Sequence, residues 1–199
     1  MALWTISWQA GSGGEKVARL LADRAGVPLV DLLSPGAAPS QSEKGARVTH
    51  LAPWVSDLAL AAAPVFFFPV AEEVIARPSP RERVESMILE AGRTSCVVAD
   101  CSAFAILADH RGACHVRIRA PLEWRIGMHA RENCLSWEAS RRTLLNLDRQ
   151  RNDDVRRAYG RTLESAENFT VICDLSRLRL DDLVEVLLIA GRRRVDQLV

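Results

Sequence analysis

The stretch Leu3-Trp4-Thr5-Ile6-Ser7-Trp8-Gln9-Ala10-Gly11-Ser12-Gly13-Gly14-Glu15-Lys16 decides how the chain folds. Leu3 to Ile6 is an apolar run that reads as a buried strand. It breaks into a small, glycine-rich turn. From Glu15 onward the apolar residues Val17, Leu20 and Leu21 recur at helical spacing. Strand, glycine turn and helix together aim backbone N–H groups and a helix N-terminus at an anion, usually a phosphate. Gly11, Gly13 and Gly14 let the backbone approach such a ligand with no Cβ between them.

Working outward, Glu15 to Ala25 is an amphipathic helix, and Gly26 is placed to end it. Val27 to Val30 is a short strand with Asp31 at its C-terminal end. Ser34 to Gly45, rich in Pro, Gly and Ser, is loop. Leu58 to Ala71 is strongly apolar but interrupted by Pro64 and Pro69, which makes it too short for a membrane span. Two readings of it stay open: a buried helix or strand edge, or a partner or homodimer face using Phe66, Phe67 and Phe68.

Ser79-Pro80-Arg81-Glu82 is a helix start, with Ser as N-cap, Pro at N1 and Glu at N3. That helix runs to about Ala91 and stops at Gly92. Cys96 to Ala99 is a strand, with Asp100-Cys101-Ser102 at its C-terminal end. A short helix around Phe104 and a strand from His115 to Ile118 follow, the latter interleaved with Arg117 and Arg119. Pro121 opens a helix, and an arginine-rich helical region extends from Ser136 to about Tyr159. Phe169 to Cys173 is the last strand, and Ser176 leads into a C-terminal helix. Alternating strands and helices call for an open parallel sheet covered on both faces. Ligands of such sheets sit beyond the carboxyl ends of the strands. Gly11 to Gly14, Asp31, Asp100 to Ser102 and Asp174 all fall at that edge.

Composition narrows the function classes. A length of 199 residues with 48% hydrophobic residues suits one packed α/β domain. The net charge of +1 supplies no global field toward nucleic acid or membrane, which argues against a nucleic-acid role. Nearly every cation is an arginine, Lys16 and Lys44 being the exceptions, and guanidinium forks suit phosphate. The five cysteines are odd in number and follow no disulfide framework. Cys114-His115 and the other His residues form no metal-ligand spacing, so no metal site is expected from the residues themselves. Reduced thiols and the lack of a visible leader point to the cytoplasm.

Four blocks in order resemble the cytidylate kinase-like family of P-loop nucleoside-monophosphate kinases. The first is Ile6-Ser7-Trp8-Gln9-Ala10-Gly11-Ser12-Gly13-Gly14, against the family's Ile-Ser-Arg-Gln-x-Gly-Ser-Gly-Gly. The second sets Cys96-Val97-Val98-Ala99-Asp100-Cys101 against Val-Ile-Val-Gly-Arg. The third is Arg119-Ala120-Pro121-Leu122-Glu123-Trp124-Arg125, matching a strand followed by Ala-Pro-Leu-Glu-x-Arg. The fourth is Cys173-Asp174-Leu175-Ser176-Arg177-Leu178, against a strand ending in Asn- or Asp-Thr-Ser.

The resemblance implies a three-layer α/β/α P-loop kinase fold with a parallel sheet and a mobile, arginine-bearing helical lid. It also implies ATP and Mg²⁺, and phosphoryl transfer to a nucleoside monophosphate such as CMP. On this reading residues 1–199 are one domain, with 34–76 as the place for an acceptor-binding insert and 136–161 as the lid-like region. Gly11, Ser12, Gly13, Gly14, Glu15 and Lys16 would hold the nucleotide. Asp31, Asp100, Cys101 and Ser102 would face the acceptor. Arg125, Arg149 and Arg151 would act from the lid. Arg142, Arg149 and Arg156, seven residues apart, fall near one helix face. A solvated face paired with Glu138, Asp148, Asp153 and Asp154 is the alternative for these arginines.

The departures bear on chemistry. In a full P-loop, Gly-x-x-x-x-Gly-Lys-Ser/Thr, Trp8 would fall at the first glycine, Gly14 at the lysine and Glu15 at the metal-binding hydroxyl. Cys101 replaces the second block's arginine, and Asp100 adds a carboxylate. Phosphoryl transfer depends on neutralising charge, so two readings stand: a phosphotransferase, or a catalytically degenerate pseudo-kinase kept as a nucleotide- or anion-binding regulatory module or protein-interaction scaffold.

Overall fold

The fold is taken from a computed structural model that describes residues 2–32 and 79–196. Its centre is β1, Leu3–Trp8, in which every residue is buried. A strand buried on both faces must have partners on both edges and helices above and below. The sheet meets that requirement: five strands, all parallel, in the order β2-β3-β1-β4-β5. β2 is Leu29–Asp31, β3 Cys96–Ala99, β4 Ala113–Arg119 and β5 Val171–Asp174.

The helices are α1 (Gly14–Ala25), α2 (Pro80–Ala91), α3 (Ala103–Ile106), α4 (Leu122–Asn133), α5 (Trp137–Tyr159) and α6 (Leu180–Asp196). Alternation along β1 assigns its side chains to two layers. Trp4, Ile6 and Trp8 join Val17 and Leu21 of α1 and Leu183 and Leu187 of α6 on one face. Leu3 joins Val98 of β3, Ala113 of β4 and Ile88 of α2 on the other. The second face is completed by Phe104 of α3 packed with Val155 of α5. Trp4 is anchored along the nitrogen-bearing edge of its ring: its Nε1 donates to the Leu187 carbonyl at 2.9 Å. The ring also lies so close over Gly191 that a Cβ there would meet it at 2.2 Å.

The expected α/β/α layering and parallel sheet are present. The helix signals read from sequence hold at atomic detail. Ser79 Oγ accepts from the Glu82 N–H while the Glu82 carboxylate accepts from the Ser79 N–H, a closed capping box. Gly26 ends α1 with φ of 65°, a left-handed position open to glycine.

Strand limits shift in places. β1 runs two residues past Ile6, because Ser7 and Trp8 still pair with Arg117 and Ile118. β5 starts at Val171 rather than Phe169, whose ring turns aside to pack on Phe104 at 4.8 Å between centroids. Among the described residues, no helix is long and apolar enough to cross a membrane. The loop at 34–45, the apolar stretch at 58–71, Phe66 to Phe68 and the insert at 34–76 lie outside the described residues.

Candidate functional site at the carboxyl edge of the sheet

The β1–α1 loop owes its shape to two left-handed glycines, Gly11 (φ 73°) and Gly13 (φ 79°). Such φ values are costly for any residue with a Cβ. Ser12 N–H donates back to the Gln9 carbonyl at 3.0 Å, closing the turn. Lys16 N–H and Val17 N–H both donate to the Gly13 carbonyl. Among the described residues, the N–H groups of Gly11, Gly13, Gly14 and Glu15 meet no acceptor. Ser12 Oγ is buried with no hydrogen-bond partner. Free N–H groups at the start of a 12-residue helix are an anion nest, reinforced by the helix dipole.

Three side chains hold this loop from behind. Arg125 Nη1 donates to the Ala10 carbonyl at 2.8 Å and to Asp148 Oδ2 at 2.6 Å. Its Nε donates to the Ala120 carbonyl at 3.1 Å. Asp148 Oδ1 in turn accepts from the Ala10 N–H at 2.8 Å. Gly11 fits against Leu144, where an added Cβ would sit 3.0 Å from a Leu144 methyl. Arg125 therefore departs from the expected lid role. It stands in the first turn of α4, pointing back beneath the loop, and is buried as a positioning residue.

The remaining expected residues separate by side of the molecule. Arg149 is exposed, as are Arg142 and Arg156, and lines a shallow hollow on α5 with Glu138, Arg141 and Asn146. Arg151 faces inward, with its Nη1 buried and unpartnered. Asp100 is mostly committed to local structure: its Oδ1 accepts from the N–H and hydroxyl of Ser102 and from the Ala103 N–H, starting α3. Asp174 repeats the device with Ser176 at the end of β5. Burial pushes the Cys101 thiol up to about 11, so it is a neutral thiol at physiological pH. Asp31 ends β2 opposite Ala99, one strand beyond β3 and two from the loop's own strand.

A cleft of about 210 Å³ opens over the loop. Its floor is Gly11 and Gly13, and its walls include Trp124 and Met128 of α4 and Leu175 and Leu178 after β5. Lys16 and Glu132 close one rim with a 2.9 Å ion pair, and that hydrogen bond holds the Lys16 pKa above its ordinary value. The Lys16 charge is thus directed at Glu132.

The chain matches the sequence profile of the cytidylate kinase-like family over residues 4–177. It belongs to the cytidylate kinase-like family. No curated protein sequence matches it. Among solved structures it is similar to an uncharacterized protein from Eubacterium ventriosum, at 14% identity and TM-score 0.68, covering 96% of this chain and 98% of that one. It is also similar to a gluconokinase from Sinorhizobium meliloti, at 15% identity and TM-score 0.53, covering 99% of this chain and 95% of that one. These likenesses are likenesses of fold, and the fold is that of P-loop kinases.

Gly14 matches the glycine of the cytidylate kinase-like pattern, and in this chain the position is closed to a side chain. A Cβ on Gly14 would lie 2.4 Å from both Cβ and Cγ of Trp8. No side chain fits at 14 while Trp8 stands at 8, so Trp8 and Gly14 are one packing unit. For Mg²⁺ the residues do not fit the P-loop arrangement. Glu15 stands where a hydroxyl would ligate the ion, a carboxylate set beside the phosphates it would have to share.

The cleft walls and Asp148 had no distinct sequence signal. The wall residues are scattered over α4 and the β5–α6 turn, and Asp148 reads as an ordinary helix-surface acid. Arg117 had a signal in its place inside an apolar strand.

Proposed function

We propose that the protein binds ATP through Gly11-Ser12-Gly13-Gly14 and transfers its terminal phosphoryl group to a nucleoside monophosphate of the CMP type. The observation that carries this reading is the nest: free N–H groups on Gly11, Gly13, Gly14 and Glu15 at the start of α1. The cleft above it adds a site for a base, since Trp124, Met128, Leu175 and Leu178 offer apolar and aromatic walls. In the transfer, the bond from the terminal phosphorus to the ADP oxygen breaks as one to an acceptor phosphate oxygen forms. The acceptor is already an anion, so the protein's task is alignment and charge neutralisation. The Arg125–Asp148 clip fixes the loop for alignment. Neutralisation is the weak part, since loss of one well-placed donor costs ~10²–10³ in rate.

That weakness supports a second reading, a degenerate pseudo-kinase that binds nucleotide without turnover. Its specific support is Trp8, an apolar ring packed against the glycine turn where the family pattern has an arginine. One experiment tests both: ATP titration by calorimetry, then incubation of ATP and CMP with Mg²⁺ and chromatography for CDP. CDP formed above the protein-free rate supports transfer. Saturable ATP binding with no CDP supports the pseudo-kinase. No ATP binding at millimolar concentration overturns both.

A further inference from the structure

Arg117 has no part in the loop site, yet its surroundings are unusual. It lies in β4, 3% exposed, in register with Ser7 of β1 and Ile172 of β5. Strand alternation puts Thr5, Ser7, His115 and Arg117 on the α3/α5 face of the sheet. Thr5 and His115 satisfy each other at 2.8 Å. Arg117 Nε and Nη1 are buried and bonded to nothing. Its ion pair, Nη2 to Glu164 Oε1, is 3.7 Å long, and Glu164 is half exposed. Burial lowers the Arg117 pKa, with Glu164 only partly offsetting it. A buried guanidinium with unused donors is costly unless something answers it.

Besides Glu164, the acid close enough to act on it is Asp148, and it is already engaged. Asp148 gives one oxygen to the Ala10 N–H and the other to Arg125. A second cation, Arg151, stands on α5. It stands one turn before Val155, which packs with Cys101 and Phe104, and its buried Nη1 has no partner either. Cys101, just beyond the end of β3, senses both guanidinium groups. In the family pattern an arginine stands at 101. Here a thiol stands just beyond β3, and β4, two strands over, supplies the cation.

We propose that Arg117 and Arg151 form an oxyanion pocket beside Cys101 that receives the phosphoryl group of the acceptor monophosphate. The acceptor assignment rests on the kinase reading; the oxyanion pocket itself does not. Guanidinium N–H groups suit phosphate because several can bond its oxygens at once.

The test uses Arg117→Met and Arg117→Lys in the full chain, with CMP, cytidine, inorganic phosphate and ATP as probes in calorimetry and thermal melts. Arg117→Met should weaken CMP and phosphate binding by ~10-fold or more. It should leave cytidine and ATP affinity within twofold. Its melting temperature without ligand should equal or exceed that of the parent, because an unanswered buried charge has been removed. Arg117→Lys should fall between the two in CMP affinity. Arg151→Gln, at a partly exposed residue, should reproduce the CMP loss should Arg117→Met fail to fold. Unchanged CMP and phosphate affinity in Arg117→Met would overturn the pocket. So would a melting temperature lowered by many degrees, which would make Arg117 a structural ion-pair residue. Loss of phosphate binding with CMP affinity intact would overturn the acceptor assignment. Absence of ATP binding in the parent strikes the loop reading, while a CMP or phosphate loss in Arg117→Met still supports the pocket.

Discussion

Replacing Gly14 with alanine should destabilise the protein even though alanine is the better helix former. In a helix interior the change gains about 1 kcal/mol, and less at the first helical residue. Here the new Cβ would lie 2.4 Å from Cβ and Cγ of Trp8, against a normal carbon contact of roughly 3.5–4.0 Å. Trp8 Cβ is one bond from the β1 backbone, so relief requires the strand or α1 to move. Overpacking of this kind costs about 1–3 kcal/mol. At about 2–4 °C per kcal/mol for a chain of this size, the melting temperature should fall by roughly 2–12 °C. The same change in a Trp8→Gly background should be neutral or stabilising, although Trp8→Gly alone costs about 3–5 kcal/mol. Urea midpoints of the four proteins close a double-mutant cycle, with an expected coupling of about 1–3 kcal/mol. A coupling near zero would refute the steric link by which Trp8 keeps residue 14 free of a side chain. It would also mean that Gly14→Lys alone could restore a P-loop lysine. If the Trp8 side chain is the obstacle, only the double change Trp8→Gly/Gly14→Lys can.

Removing Arg125 as Arg125→Ala strands Asp148 in a largely buried position and should cost about 3–5 kcal/mol in a urea melt. Arg149→Ala, on the solvent side of α5, should change stability by less than about 0.5 kcal/mol in the same melt. With a thiol reagent at pH 8 the native protein should show one fast cysteine, Cys134, which is exposed while the other four are buried. Burial raises the folded-state Cys96 and Cys101 thiols from 9.0 to about 11. The folded state therefore holds these protons longer than the unfolded chain. Stability from this source is complete below pH 9 and is lost as pH rises from 9 through 11. Urea midpoints between pH 8 and 11 should fall with Cys101 present and fall less in Cys101→Ala.

Local patterns with one physical cause were legible in the sequence. The Ser79-Pro80-Arg81-Glu82 cap, the Gly26 stop and the carboxyl-edge placement of the glycine turn each depend on residues within a few positions, and each is where it was expected. Asp100 and Asp174 were legible as edge residues. Their engagement was not, since an Asp-x-Ser pair reads the same whether its carboxylate faces a ligand or its own backbone. Arg125 and Arg117 were hidden for a different reason. Whether an arginine serves a loop, a lid or a buried pocket depends on contacts over a hundred residues away in sequence, such as Arg125 with Ala10. The split of α5 between exposed Arg149 and inward Arg151 follows from which face meets α3, and packing decides that.

The functional reading stands or falls on whether Gly11 to Gly14 hold phosphate through their backbone. Calorimetric titration of ATP into the parent protein and into Gly13→Asp decides it. Gly13 has φ of 79°, and aspartate there adds both a Cβ and a negative charge inside the nest. Saturable ATP binding should be seen in the parent and none in Gly13→Asp, with both proteins folded by circular dichroism. Equal ATP affinity in the two would contradict the phosphate nest.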